Sequence, residues 1–294
     1  MISHTTDKAV AVLALGLVVL LCSCENSVNP FIEADRYYSI YGYLDTASDT
    51  QFVRVVPLRK TIGAIESRDV DAAVSTMALE DDRTIVWRDS VIDMSDGSVA
   101  HVFYAAFRPI PEWTYQIDVL RSDGIEATAT TTVPPSVAAS VSPPRIIPGG
   151  LSQTVTWSNV DFPPFRVEVW YRFANNRPNR PFREAILAYS DVGRRTGDDW
   201  SVSVPLTRDR KLVTELLGLP PEMLSISAIG MRLTMTDERW RPPGGIFDVN
   251  VLVQPEVFTN VEHGFGFFGS VNHYAFEWTL DPDTIEQLGY DLGG

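Results

Sequence analysis

Cysteine is nearly missing from this chain. It carries two, Cys22 and Cys24, and both lie in the first 24 residues. No disulfide can staple the body, which must hold together through its apolar core. Nor does the body hold a thiol for catalysis or a Cys ligand for a metal. Lysine is as scarce, at Lys8, Lys60 and Lys211 alone, so arginine carries the positive charge. Beyond the N-terminal segment the histidines are His101, His263 and His273, and none stands in an HExxH or other metal-ligand spacing. A G-x-S-x-G elbow, a P-loop and a G-x-G-x-x-G after a strand are also missing. Widely separated residues can still assemble a triad, so these absences lower the odds of an enzyme without excluding one. No catalytic, cofactor-binding or metal-ligating residue is assigned, and the expectation is a non-enzymatic protein.

Positive charge is the next shortage. The formal net charge is −14 at pH 7. A body this acidic does not grip nucleic acid, which demands a basic face. Anionic lipid head groups repel it as well. Long apolar runs are wanting too, with one exception. Ala9 to Leu21 (AVAVLALGLVVLL) is apolar without a break after the short polar start Met1 to Lys8. It is too short to cross a bilayer as a helix, which takes about 20 residues. A polar start, an apolar stretch and a small residue at the cut make a secretory signal peptide.

Leu21-Cys22-Ser23-Cys24 resembles the bacterial lipobox, Leu-x-Ser-Cys. The resemblance implies cleavage between Ser23 and Cys24, a diacylglyceryl thioether on Cys24, and acylation of the new amine. Two or more acyl chains anchor a protein stably where one does not. The competing reading is a plain secreted protein with an incidental Cys. Cys22 is a poor alternative anchor, because Leu21 would fill the small-residue position that Ser23 fills for Cys24. Residues 1–23 are expected to be the signal peptide and 24–34 the lipidated tether.

Beyond the tether the period is two, not 3.6. Trp113, Tyr115, Ile117 and Val119 alternate with polar residues; Asp123-Gly124 follows; then Ile125, Ala127, Ala129 and Val133 alternate again. Two alternating runs around Asp-Gly predict a hairpin. Phe165 to Phe173 and Trp200 to Val204 alternate likewise, and Leu224 to Thr236 changes phase near Ala228–Gly230, which predicts a bulge there. Helix signals are thin. Thr207 to Leu217, stopped by Gly218 and Pro220, is the best case, with Thr207 as cap and Leu212, Leu216 and Leu217 as a stripe. Short strands with turn signals between them predict an all-β chain of two immunoglobulin-like β-sandwiches. Pro134, Pro135, Pro143, Pro144 and Pro148 mark a boundary. The expected layout is a first sandwich at 35–135, a Pro-rich linker at 136–149, a β-rich domain at 150–280 and a C-terminal tail at 281–294. One continuous fold crossed by a proline-rich strand is the alternative.

The acidic cluster Glu80-Asp81-Asp82 lacks calcium-loop spacing and reads as a solvated turn. Trp113-Thr-Tyr115 matches the strand of a tyrosine corner, which is a structural feature only. Trp170 shares the polar face of its strand, and with Trp240 it is a candidate for a partner surface. Gly264, Gly266 and Gly269 interleave with Phe265, Phe267 and Phe268. Alternation sends Phe265 and Phe267 to one face and Phe268 to the other, which makes Phe268 the third candidate for a partner surface.

Four matches in order carry a family resemblance: Leu21–Cys24, Tyr38–Leu44, the hairpin ending Thr131-Thr132-Val133-Pro134, and Phe258-Thr259-Asn260-Val-Glu-His-Gly264-Phe-Gly266-Phe-Phe268-Gly269. The chain resembles a Bacteroidota family of outer-membrane lipoproteins known as a domain of unknown function. Thr259 stands where the family pattern has Ser. The resemblance implies an extracytoplasmic all-β lipoprotein, often encoded beside TonB-dependent receptors, with no established activity. The function expected is a binding or accessory subunit of an outer-membrane β-barrel transporter or envelope complex, anchored through lipid. A glycan- or peptide-binding surface module is the alternative, and a hydrolase with an assembled site a third.

Overall fold

The computed structural model describes residues 36–58, 70–93, 99–174, 183–190, 193–239 and 259–292. Ser23, Cys24 and Trp240 lie outside the described residues. The alternating runs form strands, because alternation puts every second apolar side chain on one face of a pleated backbone. In the first half these are β1 (Tyr38–Asp45), β2 (Gln51–Pro57), β3 (Ala73–Ala78), β4 (Arg83–Val86), β5 (Arg88–Asp93), β6 (Val99–Ala105), β7 (Thr114–Leu120) and β8 (Glu126–Thr132). Then come β9 (Ala138–Val141), β10 (Arg145–Ile147), β11 (Gly150–Ser158), β12 (Arg166–Ala174), β13 (Arg183–Tyr189), β14 (Arg194–Thr196) and β15 (Asp199–Val204). Helix α1 (Leu206–Leu217), β16 (Ser225–Thr236), β17 (Val261–Glu262), β18 (Gly264–Trp278) and helix α2 (Pro282–Gln287) complete the order.

The fold is mostly β, in three sheets. An eight-stranded sheet runs β13-β12-β16-β18-β1-β2-β6-β5. It is mixed: β1 pairs with β18 in parallel, Tyr38 opposite Gly264 through Asp45 opposite Val271, and its other pairs are antiparallel. A second sheet runs β10-β11-β15-β14 with β9 also on β11, and a third runs β17-β8-β7-β3-β4. One core lies between β1, β2, β6 and the third sheet, with Ile40, Leu44, Val53, Phe103, Tyr115, Ile117 and Phe268 in it. The other lies between β12, β13, β16 and the second sheet, with Trp157, Val169, Tyr171, Phe173, Leu187, Met231 and Leu233.

Two cores therefore stand where two sandwiches were expected, but they share one sheet, and residues 35–294 group as a single compact unit. The stretch expected as a linker is itself sheet: β9 and β10 pair with β11. Its prolines flank the strands, leaving Ala138–Val141 and Arg145–Ile147 free to make ladder bonds. The expected tail is ordered as well. Asp281 caps α2 by accepting from the Thr284 backbone at 2.9 Å, and Leu288 and Tyr290 are buried in the second core.

The β7–β8 hairpin forms in the register its alternation implies, Thr114 opposite Thr132 and Leu120 opposite Glu126. Gly124 has φ +88°, and no other residue of the turn has positive φ. A two-residue type I′ turn needs positive φ at both central positions, so Gly124 instead takes the left-handed place in a longer loop. The bulge in β16 also forms, where Arg172 and Phe173 face Ala228 and Ile226 and Ser227 is left over. Helix α1 differs from its expectation. Pro205 precedes it, and the Thr207 hydroxyl accepts from the Leu151 backbone at 2.8 Å instead of capping. Its buried stripe is Leu206, Asp209 and Val213, whereas Leu212 and Leu216 are exposed.

Candidate binding cleft at the junction

The last residues of β8, the middle of β18 and the residue after β16 converge between the two cores. Thr131, Asp237, Ser270 and Asn272 are all buried there. Thr131 Oγ1 donates to Asp237 Oδ2 and lies 2.8 Å from Ser270 Oγ; Ser270 Oγ donates to the Thr132 carbonyl at 3.0 Å. Asn272 Nδ2 donates to the carbonyls of Pro134 and Pro135 at 3.0 and 3.2 Å, and its Oδ1 accepts from Thr46 Oγ1 at 2.7 Å. This polar seam ties the return strand β18 to the exit of the hairpin.

Burial pushes the Asp237 carboxyl up to about 6, against the opposing pull of the Thr131 hydroxyl, the Ser270 backbone, and the charge and backbone of Arg239. Its Oδ1 is buried and accepts no hydrogen bond.

Asp237 also forms part of the wall of a cavity of about 300 Å³. Val133, Pro134, Val160, Phe162 and Met235 supply apolar wall, and Asp161 and Glu238 join Asp237 as its acids. Phe162 is 50% exposed. Mostly apolar walls with a few converging polar groups and one perturbed acid are the usual composition of a binding site. The cleft takes its residues from the end of the hairpin, the β11–β12 connection and the end of β16.

A second cavity, of about 250 Å³, lies over the start of α1. Asp209 in its wall is 2% exposed. Its Oδ2 accepts from the Tyr171 hydroxyl at 2.7 Å and also from Tyr189. Burial raises the Asp209 carboxyl, and burial followed by the neighbouring phenol and carboxylate raises Tyr171. Two phenols committed to one carboxylate oxygen pin the helix to β12 and β13, and account for the buried acid in the α1 stripe.

The expected partner residues stand elsewhere. Phe268 is 0% exposed and faces the first core. Alternation does place it opposite Phe267, but Phe267 is fully buried too, so this part of the sheet is covered on both faces. Its backbone is clasped by Asn260, whose Oδ1 accepts from Phe268 N at 3.0 Å and whose Nδ2 donates to Phe268 O at 2.6 Å. Trp170 is on the outer face, as expected, yet only 8% exposed. Gly230 opposite it has no side chain, and the ring lies in that space with Nε1 donating to Glu277 at 3.3 Å. Phe268 and Trp170 are thus both buried, Phe268 in the first core and Trp170 over Gly230.

Sequence reasoning did not single out Asp237, Thr131 or Ser270. Buried polar groups leave no periodic trace, since Thr131 reads as one more residue of an alternating strand. A signal was present for Phe268: two adjacent Phe residues in a strand mark burial on both faces. His273 stands between Thr234 Oγ1 (3.2 Å from Nδ1) and Asp45 Oδ1 (3.4 Å from Nε2), and His101 Nδ1 lies 2.8 Å from Asp89. Neither cavity described above is lined by them. No group of three metal-ligating side chains gathers among the described residues.

No family model and no curated protein matches this chain. Among solved structures it matches a pullulanase from Anoxybacillus sp. LM18-11, crystallised with maltotriose, at 10% identity and a TM-score of 0.20. The match covers 66% of this chain and 24% of that enzyme. At that score the likeness carries no argument about fold or activity.

Proposed function

We propose that this chain is a non-enzymatic, lipid-anchored outer-membrane protein, held through Cys24, that acts as a binding or accessory subunit of a β-barrel transporter of the TonB-dependent type. In this reading the body is a pair of immunoglobulin-like sandwiches fused through the shared sheet, and the cleft between their cores receives the partner. The observation that carries it is the cleft itself: apolar walls, an exposed Phe162 and a buried carboxyl with an unused oxygen. The lipobox-like Leu21–Cys24 supplies the membrane, since the acidic body has no charge with which to hold it. Purification of the anchored protein in mild detergent should bring an outer-membrane β-barrel with it, and Phe162→Asp should shed that partner while keeping the wild-type melting temperature. An anchored protein that brings no barrel would overturn the proposal.

A glycan- or peptide-binding surface is the second reading. It is favoured by Phe52, 57% exposed, which stands between its cross-strand neighbours Tyr43 and Tyr104. Flat aromatic faces in a row suit stacking. Phe52→Ala should abolish retention on immobilised glycan under this reading and leave the barrel partner in place under the first.

A further inference from the structure

We propose that the open edge of β13 receives an extended segment of a partner protein as an added strand, with an acidic residue of that segment on Arg208. This does not rest on the junction cleft. β13 stands at one end of the eight-stranded sheet, and β12 is its one strand neighbour among the described residues. In an antiparallel pair every second residue bonds the neighbour, and the others turn their N–H and C=O groups to the free side. The strand is open to solvent: Arg183, Glu184, Ile186 and Ala188 are exposed, Ile186 by 52%.

The two edges of this sheet differ. β5, at the far end, carries Arg88, Asp89 and Asp93 among its 6 residues, and charge of that kind keeps stray strands away. β13 has no such guard beyond its first two residues. Ala185 to Tyr189 hold no charge and no proline, and the pairing with β12 keeps one register throughout. A regular, uncharged edge is the template that strand addition needs. On the outer face an added strand would extend the patch made by Ile186 and its cross-strand neighbour Trp170.

The cavity of about 250 Å³ selects the occupant. β13 forms one wall with Leu187, Ala188 and Tyr189, and α1 another with Arg208, Asp209 and Leu212. It is smaller than a drug-sized ligand requires, and suits a side chain of a peptide whose backbone lies on the edge. Charge sets the sign of the contact. Asp209 is buried and committed to Tyr171 and Tyr189. Arg208 is exposed and makes no ion pair or side-chain hydrogen bond among the described residues. A carboxylate on the incoming strand meets this guanidinium without displacing an existing bond. Main-chain bonds along the edge then give affinity, and the cavity and Arg208 give selection.

Fluorescence anisotropy of labelled hexapeptides with the full chain in mild detergent tests this. The peptides alternate threonine and valine, with a single aspartate moved through every position in turn. At least one should bind, and lysine in place of its aspartate should weaken binding about tenfold. N-methylation of alternate backbone amides should abolish binding in one phase and spare it in the other, because only one set of amides faces β13. Arg208→Glu should keep the wild-type melting temperature and turn the preference to the lysine peptide. Failure of every aspartate peptide at millimolar concentration, equal loss from both N-methyl phases, or an unchanged aspartate preference in Arg208→Glu overturns the proposal. The N-methyl comparison needs only wild type, so a misfolded variant does not rescue it.

Discussion

Asp237 makes the stability of the seam depend on pH. Its folded-state carboxyl sits at about 6 against an ordinary 3.8, because burial disfavours the charge. A raised acid stabilises the fold in full below the ordinary value. That contribution is lost as pH rises from about 4 through 6, and amounts to about 3 kcal/mol once both states are ionised. Asp237→Asn should match wild type near pH 4 and exceed it by up to about 3 kcal/mol at pH 7.5, in denaturant melts across that range. An unchanged pH profile in the variant would remove the buried acid as the cause. Gly230 is the other residue with a sharp expectation. A Cβ there would lie 2.0 Å from the Trp170 ring, so Gly230→Ala should cost about 1–3 kcal/mol as overpacking. The same change in a Trp170→Ala background should cost almost nothing extra, a coupling a double-mutant cycle measures.

At the scale of elements, the β7–β8 hairpin was legible from Asp123-Gly124 and the alternation around it, and its register followed. The turn type was not, because the sequence gives the residue pair but not which of them takes positive φ. Gly124 stands in open space, so the cost of a side chain there is backbone strain alone. Gly124→Val should lose about 1–3 kcal/mol and Gly124→Asn much less, since Asn tolerates the left-handed region. Equal losses in thermal melts would mean that something other than φ is at stake. Helix α1 was legible in position but not in phase. The leucines suggested one stripe, yet Asp209 faces inward because two tyrosines from distant strands wait for its carboxylate. The role of Asn260 was hidden for the same reason: its amide takes the place of a neighbouring strand at Phe268, a bond between residues whose relation only the turn at His263 creates.

For the whole molecule, composition and period gave the β class, but the cores do not divide at the proline cluster, since Val261 and Phe268 from the far end of the chain complete the first core and Val137, between the prolines, joins the second. The shared sheet was beyond reach, since nothing near Tyr38 or Gly264 advertises that they pair. The site was the least legible part, being made of hydroxyls and acids brought together from three distant segments. The anchor belongs to this scale as well. Cys24→Ala should leave the protein unprocessed or soluble, because no thiol beyond residue 24 can take the diacylglycerol. Mass spectrometry of the mature N-terminus reads it, and an unmodified chain beginning elsewhere than Cys24 would end the lipoprotein reading.

The parallel pairing of β1 with β18 has a consequence in time. Strand β1 is made well before its partner on one side, Gly264–Val271, with nearly all the other strands lying between them in the chain. The central sheet cannot close until β18 has been made, and contacts of such long sequence separation form slowly. A chain built this way stays open while it is made. For the exported protein proposed above, that delay would let the chain cross a translocation pore as an unfolded thread and complete its sheet on the far side.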